Sequence, residues 1–187
     1  MNKISSILWR KLDQPGHESS CLSHEHDRFI LAGTAVFGHE QQACRLDYTV
    51  ECDREWRTRS ATVLGWIGTT TVAVEIVVNS QQLWTLNGID CPHVAGCRDV
   101  DLSFSPSTNL LPIRRLSLPV GERASVCAAW LRFPTFGLEL LDQTYERVGE
   151  ALYRYESADG EFVADLEVNP LGFVTNYPNL WKEEWTD

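Results

Sequence analysis

Residues 43–53, ACRLDYTVECD, alternate almost without error: Cys44, Leu46, Tyr48, Val50 and Cys52 fall on one side of an extended chain, and Arg45, Asp47, Thr49, Glu51 and Asp53 on the other. A period of two with one apolar face marks a half-exposed β-strand. Residues 55–65 repeat the habit, with Arg57 and Arg59 on one face and Trp56, Thr58, Ser60 and Thr62 on the other. Residues 70–78 form a β-branched run, and residues 83–86 lead into Asn87-Gly88, a pair suited to a type I′ hairpin because both positions need positive φ.

Similar bursts predict further strands at residues 99–104, 114–118, 124–133, 138–147, 151–157, 162–168 and 173–177, with Asp159-Gly160 as a second tight turn. Helical signals are short: a turn near residues 13–20, and residues 105–111, limited by Pro106 and Pro112. Residues 138–150 also carry Leu138, Leu141 and Tyr145 at helical spacing, a competing reading of that strand. So many consecutive antiparallel strands leave vulnerable edges unless the sheet curls. The expected fold is mainly β, a large curved antiparallel sheet or open half-barrel with one or two short helices. It would form one β-rich domain over residues 1–187, with room for two similar halves. The concave face is where a small ligand is expected.

A net charge of −10 argues against nucleic acid as a partner, since phosphate backbones reward clustered Lys and Arg. No run approaches the roughly 20 apolar residues of a membrane span, and the N-terminal MNKISSILWRKLDQPG lacks the continuous apolar stretch of a signal peptide. A cytoplasmic protein is therefore expected. In that compartment the six cysteines read as reduced, mostly buried thiols. No CxxC pair occurs, and neither Cys91, His93 and Cys97 nor His24-Glu25-His26 has the paired spacing of a zinc site, so no metal or other cofactor is expected.

Residues 96–118, GCRDVDLSFSPSTNLLPIRRLSL, fit no simple core pattern. Asp99 and Asp101 lie two apart, with Val100, Leu102 and Phe104 between and after them, so a strand would put both acids on one face about 6–7 Å apart. Such a pair reads as the lining of a site.

These blocks carry a family resemblance. YTVECDREWRTRSATV (48–63), LWTLNG (83–88), GCRDVDLSFSPSTNLLPIRRL (96–116) and the closing YRYES, FVADLEV and GFVTNYPNLW resemble the bacterial family named putative glycolipid-binding proteins, over nearly the whole chain. The resemblance implies an open, clam-shaped half-barrel similar to periplasmic lipoprotein carriers, and a glycolipid ligand. Two positions depart from the family pattern, Asn169 where Asp is usual and Asn179 where Gly is usual.

A glycolipid asks for a dry apolar surface for its chains, and for carboxylates, amides, guanidinium groups and aromatic rings for its sugar. Asp99, Asp101, Asn109, Arg114 and Arg115 are candidates for the polar end, the acids accepting from sugar hydroxyls and an arginine forking onto a phosphate or carboxylate. Arg57 and Arg59 join them, and Trp84, Tyr145, Tyr155 and Tyr177, with Trp130, Tyr153 and Trp181, are candidates for stacking or lining. The competing reading is an ion-pair cluster that fixes strand register, Asp53 or Asp99 with Arg57, Arg59 or Arg115. Both readings stay open here. Two other function classes stand beside a binder of small amphiphiles. One is a glycoside or ester hydrolase using Asp99 and Asp101, a poor match because such carboxyls flank the scissile bond from opposite sides. The other is a protein-interaction module using a sheet face or edge. The expectation is a binder without turnover.

Overall fold

The computed structural model describes residues 2–187. The alternating stretch forms β4 (Gln42–Cys52), with Cys44, Leu46, Tyr48, Val50 and Cys52 all buried. Around it run β1 (Asn2–Lys11), β2 (Gly16–Glu25), β3 (Arg28–His39), β5 (Thr58–Ile67), β6 (Thr70–Val78), β7 (Trp84–Leu86) and β8 (Ile89–Asp90). After a crossover through residues 91–98 come β9 (Asp99–Leu102), the helix α1 (Leu110–Leu116), β10 (Arg123–Arg132), β11 (Gly137–Gly149), β12 (Leu152–Ser157), β13 (Phe162–Val168), β14 (Val174–Tyr177) and β15 (Trp181–Thr186).

All fifteen strands join one curved sheet in the order β8-β7-β6-β5-β4-β3-β2-β1-β15-β14-β13-β12-β11-β10-β9. Pairing is antiparallel except between β9 and β10. The chain thus starts at the centre, lays eight strands toward one edge, crosses over, and returns with seven until β15 pairs with β1. The edge strands β8 and β9 do not pair, so the half-barrel stays open, as expected. Curvature nevertheless brings the chain at β9 against β5: Thr58 N–H donates to Arg98 O at 2.8 Å, and Val100 N–H donates to Thr58 Oγ1 at 3.0 Å.

Three details differ from the sequence reading. Residues 114–118, expected as a strand, belong to α1 and its exit: Pro112 sits in the first turn, where its missing N–H breaks no helical bond, and Arg114 and Arg115 suit the last turn. Ser117 in the left-handed region ends the helix, its N–H donating to Ile113 O at 3.1 Å. Residues 13–20 are not helical, since β2 begins at Gly16. Residues 55–65 do not keep one parity: a bulge opposite Glu51 and Cys52 puts Thr58, Ala61 and Val63 inward, where Ser60 and Thr62 were expected beside Thr58. The strand expected at residues 138–147 is present in β11, against its helical alternative. The Asn87-Gly88 turn has both φ positive, and Asn179, at φ 63°, holds the left-handed conformation that favours glycine. Asn169 keeps the turn its position requires, its Oδ1 accepting from the N–H groups of Leu171 and Phe173 at 3.1 and 3.0 Å.

Candidate functional site

The concave face is occupied by the chain itself. Every residue from Phe104 to Ile113 is buried, and the segment touches both arms of the sheet. On the β2–β4 side, Ser105 Oγ donates to Glu18 Oε1 at 2.6 Å, and the Phe104 ring lies 6.2 Å from that of Tyr48. On the β11 side, Tyr145 Oη donates to Asn109 Oδ1 at 2.9 Å. Residues 103–118 therefore form an internal plug, rich in Ser, Thr, Asn and Pro because it must satisfy its own backbone while crossing a dry interior. Thr108 Oγ1, for example, accepts from Leu102 N–H at 3.2 Å.

The polar side chains facing the plug are costly to bury. Glu18 is 1% exposed, and its Oε1 accepts from Tyr48 and Ser105 at 2.6 Å each, while Oε2 has no partner. Burial pushes its pKa up to about 7 against the pull of those two hydrogen bonds. Asp99 lies on β9 with both oxygens held by the Arg115 guanidinium, Nε at 3.0 Å and Nη2 on the other oxygen. Burial still raises its pKa, with Arg115 opposing. Asp101 accepts from Gln143 Nε2 at 2.7 Å, and burial lifts it to about 6. Gln143 also donates to Tyr155 Oη at 3.0 Å.

Of the candidate residues, Asp101, Asn109, Tyr145, Tyr155 and Tyr177 come together as one interior network, with ring centroids 5.1 Å apart for Tyr145–Tyr155 and 6.3 Å for Tyr155–Tyr177. Arg115 joins its edge through Asp99. Arg57 and Arg59 form a separate group, both pairing with Asp53 Oδ2, at 3.0 and 2.7 Å. Of the pairings named in the competing reading, Asp53–Arg57, Asp53–Arg59 and Asp99–Arg115 are made. Trp84 is core, its indole donating to Cys97 O at 3.1 Å beneath the crossover. Tyr153 and Trp181 are buried beside cations, Arg147 and Lys11, and Trp130 is half-buried under Arg132. His93 Nε2 lies 2.6 Å from Leu138 O, and Cys91 and Cys97 are buried. Among the described residues no cluster of three His, Cys, Asp or Glu is placed to hold a metal ion, and no helix is long and apolar enough to cross a membrane.

Space opens at the rim of the plug. Arg114 stands on one side of the last turn of α1, where a cavity of about 690 Å³ is walled by Ile113, Ser117, Val120, Arg147, Tyr153, Val168 and Asn169. Arg147 is anchored to Leu118 O at 2.9 Å and Glu150 O at 2.7 Å. Arg114 makes no hydrogen bond or ion pair among the described residues, and only rests over Trp56, 5.2 Å from the ring centroid. On the other side, Arg115 and Leu116 meet Arg54, Trp56, Arg57 and Arg98 around a cavity of about 580 Å³. Sequence reasoning missed Glu18, Gln143, Arg98 and Arg147.

A DUF1089-family protein from Pseudomonas aeruginosa, known from a crystal structure, is similar in fold and sequence, with a TM-score of 0.76 and 30% identity over 88% of this chain and 91% of that one. A β-barrel-like protein of the DUF1849 family from Brucella abortus shares the fold at a TM-score of 0.57 and 7% identity, over 100% of this chain and 98% of that one. No curated protein matches. With the family model described as "Putative glycolipid-binding" matching residues 6–183, the chain belongs to that family.

Proposed function

We propose that this protein holds an amphiphilic molecule, a glycolipid in keeping with the family's description, in the cavity beside Arg114, and that it acts by sequestration or carriage without turnover. The observation that carries this reading is the cavity's lining. An unpaired guanidinium (Arg114), an amide (Asn169) and a tyrosine ring (Tyr153) stand among Ile113, Val120 and Val168, the mixture that a sugar joined to an alkyl chain requires. The ligand sits at the rim because residues 103–118 fill the concavity where the sequence placed it. The hydrolase alternative has little support, since Arg115 occupies both Asp99 oxygens and neither acid lines this cavity.

Native mass spectrometry of gently purified protein, with extraction and a panel of glycolipids, tests the reading. Saturable binding is expected, lost in Ala151→Trp, which places an indole in the cavity from an exposed position, and weakened in Arg114→Ala. If no lipid co-purifies and no panel member binds saturably, the proposal fails.

A further inference from the structure

The second cavity, on the Arg115 side of α1, has a different chemistry. Four arginines line it, Arg54, Arg57, Arg98 and Arg115, with Glu55 as the acid among the lining residues, in a chain whose net charge is −10. Trp56 contributes a wall, its ring stacked on Phe29 at 3.9 Å and beneath Arg114 at 5.2 Å.

Three of the arginines are held by carboxylates, Arg115 by Asp99, Arg57 by Asp53 and Glu55, and Arg54 by the exposed Asp27. Asp99, 1% exposed, orients Arg115 through both oxygens. Asp53 binds the loop that carries Arg54 and Arg57: its Oδ1 accepts from Glu55 N–H at 3.0 Å and Arg57 N–H at 2.9 Å, and its Oδ2 from Arg57 Nε at 3.0 Å. That loop holds Trp56 at φ 62°, a conformation non-glycine residues adopt at a cost, so the wall is fixed. Arg98 is the member without a hydrogen-bonded carboxylate, its charge acting on Asp99 only through space. Its carbonyl is tied to Thr58 N–H at 2.8 Å, while its exposed side chain makes no hydrogen bond or ion pair among the described residues. It also lines, with Arg115 and Cys127, an adjoining cavity of about 210 Å³.

We propose that this cavity binds a phosphoryl group, with the rest of the ligand extending past Trp56 and Leu116 or into the smaller cavity. One fork from one guanidinium satisfies a carboxylate, whereas a phosphate ester offers several terminal oxygens and a second charge, which suits several converging guanidinium groups. The site stands apart from the glycolipid reading, because Arg114 and Arg115 face different cavities. The phosphoryl group could come from a lipid headgroup or from a soluble phosphate ester.

Two arms test this on the full chain. Calorimetric titration with inorganic phosphate and pyrophosphate, at fixed ionic strength, probes the soluble source. Co-sedimentation with phosphatidylcholine vesicles, with and without phosphatidic acid, probes the lipid source. Saturable binding in at least one arm is expected, weakening as salt is raised and about tenfold weaker in Arg98→Gln. That variant removes a side chain with no intramolecular hydrogen bond, so the fold is retained. Phosphate binding alone identifies a soluble ester, and binding confined to phosphatidic acid vesicles identifies a headgroup. Absence of saturable binding in both arms, or binding that Arg98→Gln and Arg57→Gln leave unchanged, overturns the proposal.

Discussion

Glu18 concentrates the cost of a polar interior in one side chain. Its folded pKa of about 7 stands above the ordinary 4.5, so between those values the folded protein keeps a proton that the unfolded chain has lost. Stability therefore falls as pH rises from about 4.5 to 7 and levels off above, by about 3 kcal/mol from this group at 1.36 kcal/mol per pKa unit. Asp101, raised from 3.8 to about 6, adds a fall in the same direction over a slightly lower window. Urea melts from pH 4 to 8 are expected to show this decline, and Glu18→Gln to remove the portion between about 5 and 7. A decline of unchanged size in that variant would show that Glu18 does not take up a proton on folding. The neighbouring Gly33 is as constrained sterically. A Cβ there would lie 2.5 Å from Tyr48 Oη and 2.6 Å from Ser19 O, so Gly33→Ala must displace the phenol that donates to Glu18. A loss of about 1–3 kcal/mol in chemical denaturation is expected.

At the scale of elements, the plug from β9 through α1 makes the half-barrel's interior from chain rather than ligand. The Asp99–Arg115 pair ties the end of the plug back to the strand before it, with Asp99 on β9 and Arg115 on the last turn of α1. Arg115→Ala leaves a buried carboxylate unpaired and is expected to cost about 3–5 kcal/mol, whereas the double variant Asp99→Leu/Arg115→Met, which removes both charges, should recover most of that loss. Equal destabilisation in the single and double variants would locate the energy in packing rather than in the pair. This region also shows how far sequence carries. Strands such as β4 and β6 were legible because one face meets the core and the other water. β9 is buried at Asp99, Val100 and Leu102, and β2 buries Glu18, Ser20 and Ser23. Alternation in β9 was legible as a strand but not as one dry on both faces, whereas in β2, where inward positions are polar, alternation carries no signal and the strand went unread. Of the two acids singled out in residues 96–118, Asp99 finds its partner Arg115 within the same stretch, but Asp101 is held by Gln143, 42 residues away, where only the fold brings it near.

For the molecule as a whole, curvature leaves an open sheet whose two edges must be restrained without a ladder between them. The two arms meet at the centre through β1 and β15, and they meet again where Thr58 receives the chain at Arg98 and Val100. Thr58 is fully buried, and its hydroxyl is the acceptor for Val100 N–H at 3.0 Å. Thr58→Val keeps shape and volume but leaves that amide without its acceptor, at an expected cost of about 1–3 kcal/mol. Because the lost bond joins the β9 edge to β5, and not the strands of the central ladders, the loosening should be local. Hydrogen exchange of the Thr58→Val protein is expected to accelerate at Val100 and along β9 and the plug, while β1, β2 and β15 retain their protection. The same opening would widen the cavity at Arg98 and Arg115, so phosphate affinity should fall together with the protection of Val100. Uniform acceleration across all strands would mean instead that the edge contact opens only with global unfolding, and the half-barrel would then behave as one cooperative unit held from its centre.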